Sequence, residues 1–164
     1  MADFTTRRLT ADDVEIFCAV RSEGLTNDPT ACRVSVADDE ALSRDAWEQR
    51  LTHGFVVAVE TKGRILGIGG FAQMAGTKAD HKGLIWGMYV RPEGRGKGVA
   101  DAVMTALIDH ARTCVRQVQL TVVAENARAV AFYERHGFAR YGVEPDAINM
   151  GSSFADEALM WRKL

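Results

Sequence analysis

The sequence predicts an α/β protein of the mixed-sheet (α+β) kind: one domain over residues 1–164, with a central mixed β-sheet of about six to seven strands flanked by about four helices. Three observations carry that reading. A strand, a glycine-rich turn, an amphipathic helix and another strand follow one another between Leu84 and Val123, as two parallel neighbours joined by a right-handed crossover require. Two β-rich runs before it are joined across Lys62-Gly63, a hairpin signal. Two more runs of strand character close the chain. Its 164 residues, 47% hydrophobic and 26% charged, suit one globular domain able to bury a substantial core.

Phe4 to Leu9 reads as a first strand, polar enough for a sheet edge. Thr10 is a helix cap with Asp12 and Asp13 in the first turn; Val14, Phe17 and Cys18 carry the helix to about Gly24, read as the glycine just past its end. Leu25 to Val36 has no period and contains Asn27, Asp28 and Pro29, so it reads as a loop. A second helix spans about Asp38 to His53, with Ala41, Leu42, Trp47 and Leu51 as buried positions and Gly54 at its end. The hairpin strands are Phe55 to Glu60 and Arg64 to Ala72, the latter holding three glycines that suggest a bulge or close backbone approach.

A polar turn from Gly76 to Lys82 leads into the apolar strand Leu84 to Val90. Val99, Val103, Leu107 and Ala111, widened by Met104 and Ile108, form the core face of a helix from about Val99 to Thr113. Gln117 to Val123 alternates as a strand. Asn126 caps another helix, closed by Gly137, with Phe138 folding back on Phe132 or Tyr133. Phe138 to Glu144 and Phe154 to Arg162 are the closing strands, joined by a loop at Pro145 to Ser153.

A net charge of −2 gives no sign of a nucleic-acid partner. No apolar stretch is long enough to span a membrane, and Met1 to Thr6 lack the basic-then-apolar order of a secretory signal. Cys18, Cys32 and Cys114 are scattered, as expected of reduced thiols in a cytoplasmic protein; Cys18 and Cys114 read as small core residues. No spacing of cysteine and histidine resembles a metal site, so no metal is expected.

The turn between Val90 and Val99 has the chemistry of an anion site. A helix start carries N–H groups without helical partners and partial positive charge. Gly96 and Gly98 let the backbone approach a ligand, and Arg95 adds a planar fork suited to phosphate. A nucleotide P-loop is excluded because Gly98, not a hydroxyl residue, follows Lys97; a dinucleotide fingerprint is excluded because no glycine follows either G-x-G three residues on.

Arg95-Gly96-Lys97-Gly98-Val99-Ala100 has the form [QR]-x-x-G-x-[GA] and resembles the acetyl-coenzyme A loop of the GNAT superfamily of N-acetyltransferases. Asn126 to Phe138, read as N-x-x-A-x-x-F-Y-x-x-x-G-F, resembles that superfamily's second signature. The resemblance spans about Leu84 to Phe138; the N-terminal third agrees only in its order of elements.

The resemblance implies a GNAT-like fold and acetyl transfer from acetyl-coenzyme A to an amine by direct attack. It implies that the backbone from Arg95 through Gly96, Lys97, Gly98 and Val99 to Ala100, with the Arg95 side chain, holds the pyrophosphate. The backbone of Met88, Tyr89 and Val90 would pair with the pantetheine arm, with Gly87 suiting a bulge. Asn126 would add a cofactor contact beside its capping role, and Tyr133 would protonate the leaving thiolate. Many relatives carry a glutamate on the central strand as base, but Gly83 to Val90 has no carboxylate. Glu125, Glu144, Asp156, Glu157 and a water chain stay open, and each carboxylate also reads as a solvated surface group; His81 and His110 read as surface or helix-face residues.

The acceptor pocket would be shaped by Leu25 to Val36 and Pro145 to Ser153, whose Asp28, Arg33 and Asp146 select no particular amine. An amino acid, a polyamine, an aminoglycoside-like drug and a protein N-terminus all fit. Two readings stand beside the enzyme: a non-catalytic acyl-coenzyme A sensor module of the same fold, and a purely structural domain. Dimers are common in the superfamily, and a homodimer is compatible with this sequence.

Overall fold

The computed structural model describes residues 4–164; Met1 to Asp3, part of the stretch read for a leader, lie outside the described residues. Seven strands form one mixed sheet: β1 (Thr5–Arg8), β2 (Phe55–Thr61), β3 (Arg64–Gln73), β4 (Lys82–Val90), β5 (Gln117–Val123), β6 (Ala139–Asn149) and β7 (Phe154–Lys163), in the order β1-β2-β3-β4-β5-β7-β6. Five α-helices flank it: α1 (Val14–Asn27), α2 (Val36–Glu40), α3 (Arg44–His53), α4 (Val99–Ala111) and α5 (Ala127–Arg135). The expected mixed sheet is present, with one helix more than expected.

β2 shows why its sequence reads as a continuous apolar run. Val57 and Val59 pack with Val103, Leu107 and Ala111 of α4, while Val56 and Ala58 pack with Phe17 of α1 and Trp47 and Leu51 of α3. The strand is buried on both faces, so it has no polar alternation.

The sheet opens in the middle. β4 and β5 are the parallel pair, but their pairing covers only Lys82–Leu84 against Gln117–Gln119. β5 stays paired with β7 along its whole length. The β5-facing edge of β4 from Ile85 to Val90 is therefore left without a strand partner. A β-bulge sets Gly87 and Met88 opposite Gly69, with Gly87 at φ +65°, as its sequence suggested.

Four boundaries differ from expectation. α1 continues past Gly24 to Asn27. Gly24 is an interior residue whose missing side chain makes room for the Tyr89 ring: a Cβ there would lie 2.7 Å from Tyr89 Cγ. The single helix expected from Asp38 to His53 is two, because Ser35 and Ser43 each cap a start, accepting from Asp38 N–H at 3.1 Å and Ala46 N–H at 3.2 Å. α4 stops at Ala111, which leaves Cys114 on an exposed turn rather than in the core; Cys18 is half-buried. β6 continues to Asn149, so the expected loop at Pro145 to Ser153 shrinks to 150–153. Its register slips between Glu144 and Ile148, where Asp146 takes φ +51° and its N–H bonds Asp156 Oδ1 at 2.9 Å. Buried Ile148 ties the resumed strand to the core.

Candidate active site

The glycine turn presents a row of free donors. Gly96 and Gly98 have φ +72° and +81°, and a Cβ on Gly96 would meet nothing within 4 Å, so backbone conformation rather than crowding calls for glycine. Ala102 N–H bonds Gly98 O at 2.9 Å, and the N–H groups of residues 96–101 make no hydrogen bond among the described residues. The turn borders a cavity of about 550 Å³ lined by Met88, Tyr89, Val90, Arg95, Gly96, Gly98, Val99, Ala100, Asn126 and Tyr133 among others. That set includes every residue expected at the cofactor except Lys97, whose side chain is exposed and lies off the cavity.

Arg95 is not a free fork. Its Nε donates to Val90 O at 3.1 Å and its Nη2 to Asp28 Oδ2 at 3.0 Å, which ties the turn to the loop after α1. Asn126 caps α5, its Oδ1 accepting from Ala129 N–H at 3.1 Å. Asn126 also lines the cavity, and its Nδ2 makes no hydrogen bond among the described residues.

Tyr133 projects from α5 between two aromatic neighbours, Phe132 at 5.3 Å and Phe138 at 6.0 Å between ring centroids. Gly137 at φ +78° and the bond from Phe138 N–H to Tyr133 O at 3.1 Å turn the chain back as the sequence indicated. Burial pushes the phenol up to about 12, and its hydroxyl has no hydrogen-bond partner among the described residues. Tyr133 is thus held as the neutral phenol, with its proton free for a ligand.

A second cavity, about 430 Å³, lies on the far side of Met88, Tyr89 and Tyr133, which line both. Arg21, Arg33, Trp86, Thr121 and Glu157 also line it. Arg21 is clamped by a bidentate bond to Asp39 (2.7 and 2.9 Å) and lies between Trp47 and Trp86, at 5.3 and 5.5 Å from their ring centroids. Tyr89 is fixed by Glu23 and Asn27, each 3.1 Å from its hydroxyl, and burial raises its phenol. Arg91 grips Glu23, at 2.7 Å from Nη2, and these hydrogen bonds hold the Glu23 carboxyl below the ordinary range.

Of the open carboxylates, Glu125 and Asp156 are exposed and Glu144 is half-exposed at the rim. Glu157 is a correction to the surface reading: it is 2% exposed and lines the second cavity. The signal lay in β7, where Glu157 stands in the run that continues as Ala158-Leu159-Met160 into the core. Asp146 does not line this cavity, whereas Asp28 and Arg33 do. His81 is exposed, and His110 stacks on Phe55 at 3.8 Å away from both cavities. Among the described residues no cluster could hold a metal ion, and no helix is long and apolar enough to cross a membrane.

Comparison with known proteins agrees with this geometry. The profile of the acetyltransferase (GNAT) family matches residues 22–138. The chain is 27% identical over 150 residues to a mycothiol acetyltransferase of Renibacterium salmoninarum, covering 87% of this chain and 44% of that protein. It therefore spans less than half the length of that relative. It is 25% identical over 144 residues to YwnH of Bacillus subtilis, named for phosphinothricin acetyltransferase, covering 84% of this chain and 88% of the other. In fold it is similar to a GNAT-family acetyltransferase from Streptococcus pneumoniae (TM-score 0.86, 19% identity, 98% and 99% of the two chains). It is similar too to yncA from Salmonella typhimurium, solved with its cofactor acetyl-CoA (TM-score 0.83, 20% identity, 99% and 95% of the two chains). With the family match extending from α1 through α5 to Phe138, the chain belongs to the acetyltransferase (GNAT) family.

Proposed function

We propose that the chain moves the acetyl group of acetyl-CoA to the primary amine of a small molecule by direct attack in a ternary complex. One observation carries this most strongly: two cavities, one bordered by the glycine turn and one lined by charged and aromatic side chains, share Met88, Tyr89 and Tyr133. A thioester reaching that junction from one side meets an amine arriving from the other.

Each residue then has a task. The amides of Gly96 to Ala100 hold the pyrophosphate, where the start of α4 favours negative charge. Lys97 contributes its backbone to the turn. The free edge of β4 at Met88 to Val90 offers backbone groups to the pantetheine arm, and Asn126 Nδ2 donates to the cofactor. The amine attacks the thioester carbon, the C–S bond breaks, and Tyr133 supplies a proton to the departing thiolate. Holding both reactants at one junction supplies proximity without a covalent enzyme intermediate. The three free cysteines fit a cytoplasmic setting.

The test is release of coenzyme A thiol from acetyl-CoA across L-phosphinothricin, proteinogenic amino acids, spermidine, an aminoglycoside and an alanine-ended peptide. Mass spectrometry identifies any acetylated product. Acetylation of a small-molecule amine is expected. Acetylation of the peptide alone would overturn the acceptor class, and tight acetyl-CoA binding with no acetylated amine would favour a sensor module.

A further inference from the structure

The second cavity contains a buried carboxylate whose counterion is mounted on a loop. Glu157 is 2% exposed, and β7 fixes its backbone. Thr121 Oγ1 donates to its Oε1 at 3.1 Å, and the Arg33 guanidinium donates to its Oε2. Taking a carboxylate out of water costs several kcal/mol unless a cation pairs with it. Arg33 meets that need from the connection between α1 and α2, and its side chain is 48% exposed. Its Nη2 also lies 3.4 Å from Glu144 Oε2 at the rim, so a second partner is within reach.

The other carboxylate lining this cavity, Asp28, is held by Arg95 at 3.0 Å, and β4 contributes none between Gly83 and Val90. An alkylamine arrives at neutral pH as an ammonium ion, a compact cation with three donors. It satisfies Glu157 as a guanidinium does, and it must lose a proton before its nitrogen can attack.

We propose that Glu157 receives the acceptor's ammonium group in exchange for Arg33 and takes its proton, serving as the base of the transfer. This rests on the acetyltransferase reading above. Arg33 closes the acceptor site in the free protein and moves to Glu144 when the amine enters.

The atoms balance. The ammonium gives one proton to the Glu157 carboxylate and becomes a neutral amine. Its nitrogen forms the C–N bond to the thioester carbon and the C–S bond breaks. Tyr133 gives its proton to the thiolate and regains one from the acetylated nitrogen. Glu157 releases its proton to solvent, so one proton is released per amide formed.

Two measurements test this. In steady-state thiol release with the best acceptor of the amine panel, Glu157→Gln is expected to lower kcat about 10²-fold or more, the range for one lost base. Its acetyl-CoA affinity is expected to stay at the wild-type value. Glu157→Ala is expected to regain at least about tenfold when formate, but not chloride, is added. A purely structural ion pair would instead leave kcat of Glu157→Gln within about threefold of wild type, or leave the folded Glu157→Ala variant unmoved by formate; either overturns the proposal.

The second readout needs no turnover. ¹⁵N-NMR signals of the Arg33 guanidinium are expected to shift as n-butylammonium is titrated into wild type, and not in Glu157→Gln. Unmoved Arg33 signals at saturating probe overturn the exchange. Failure of the acetyltransferase reading shows separately, as wild-type protein that does not bind acetyl-CoA.

Discussion

Replacing Tyr133 by phenylalanine removes one oxygen and nothing else the fold uses. The ring keeps its contacts with Phe132 and Phe138, at 5.3 and 6.0 Å, and the hydroxyl has no hydrogen bond to lose among the described residues. Stability is therefore expected to change by less than about 0.5 kcal/mol. The catalytic effect follows from the phenol's own acidity. Pushed up to about 12, Tyr133 is protonated throughout the neutral range, so a donor is always in place. The same shift makes it a weaker acid than an ordinary thiol, so complete transfer to a thiolate runs uphill.

In the proposed transfer the phenol therefore acts chiefly as a hydrogen-bond donor to charge developing on sulfur, its proton crossing as the C–S bond breaks. That places the loss at the low end of general-acid catalysis, about 10²-fold in kcat, or ~2.7 kcal/mol in barrier. The assay is thiol release at saturating acetyl-CoA and amine, with calorimetric affinity for acetyl-CoA and a thermal melt as controls. A kcat within about threefold of wild type refutes the role. So does a loss matched by an equal loss of acetyl-CoA affinity, since the residue would then be holding the cofactor.

Three further outcomes follow from the packing. Alanine in a helix interior ordinarily gains about 1 kcal/mol over glycine, but Gly24→Ala is expected to lose about 1–3 kcal/mol because its Cβ would sit 2.7 Å from the Tyr89 ring; a raised melting temperature contradicts that seat. Asp39→Asn strands the buried Arg21 guanidinium, whose side chain is only 10% exposed, and is expected to cost about 3–5 kcal/mol in urea unfolding; a loss under about 1 kcal/mol would mean the pair is not buried in solution. Arg91 holds the Glu23 carboxyl low, and Arg7 does the same for Asp13, so the native state binds fewer acid-range protons than the unfolded chain. That stability is present above the unfolded carboxyl values near 4 and is lost as pH falls; Arg91→Met is expected to make the fall of melting temperature with acid shallower, and an unchanged slope contradicts the linkage.

What the sequence exposed and what it concealed have a common physical cause. Features enforced by neighbours in the chain were legible: the glycines of the turn before α4, the cap at Asn126, the reversal at Gly137-Phe138 and the apolar stripe of α4. Features created by distant packing were not. Gly24 looks like a helix end until Tyr89 of β4 is laid against it. Glu157 looks like a surface residue beside exposed Asp156 until β5 and the Arg33 loop close over it. Arg95 matches the phosphate-loop pattern, but its salt bridge to Asp28 depends on where α1 ends, which periodicity did not fix. The divided helix before β2 is an intermediate case: Ser35 and Ser43 are ordinary caps that an unbroken run of helix-forming residues obscured.

The most direct test of the central claim is a thermal melt with and without acetyl-CoA, on wild type and on the double variant Arg95→Ala with Gly98→Glu. Cofactor bound only to the native state raises its stability, by about 2.7 kcal/mol at a hundredfold excess over Kd. A clear rise in wild type that vanishes in a still-folded double variant is the expected result, because the added side chain strains the φ +81° backbone and places a carboxylate on the turn proposed to hold the pyrophosphate. No rise in wild type at saturating acetyl-CoA, or an equal rise in both proteins, would contradict binding on the turn before α4.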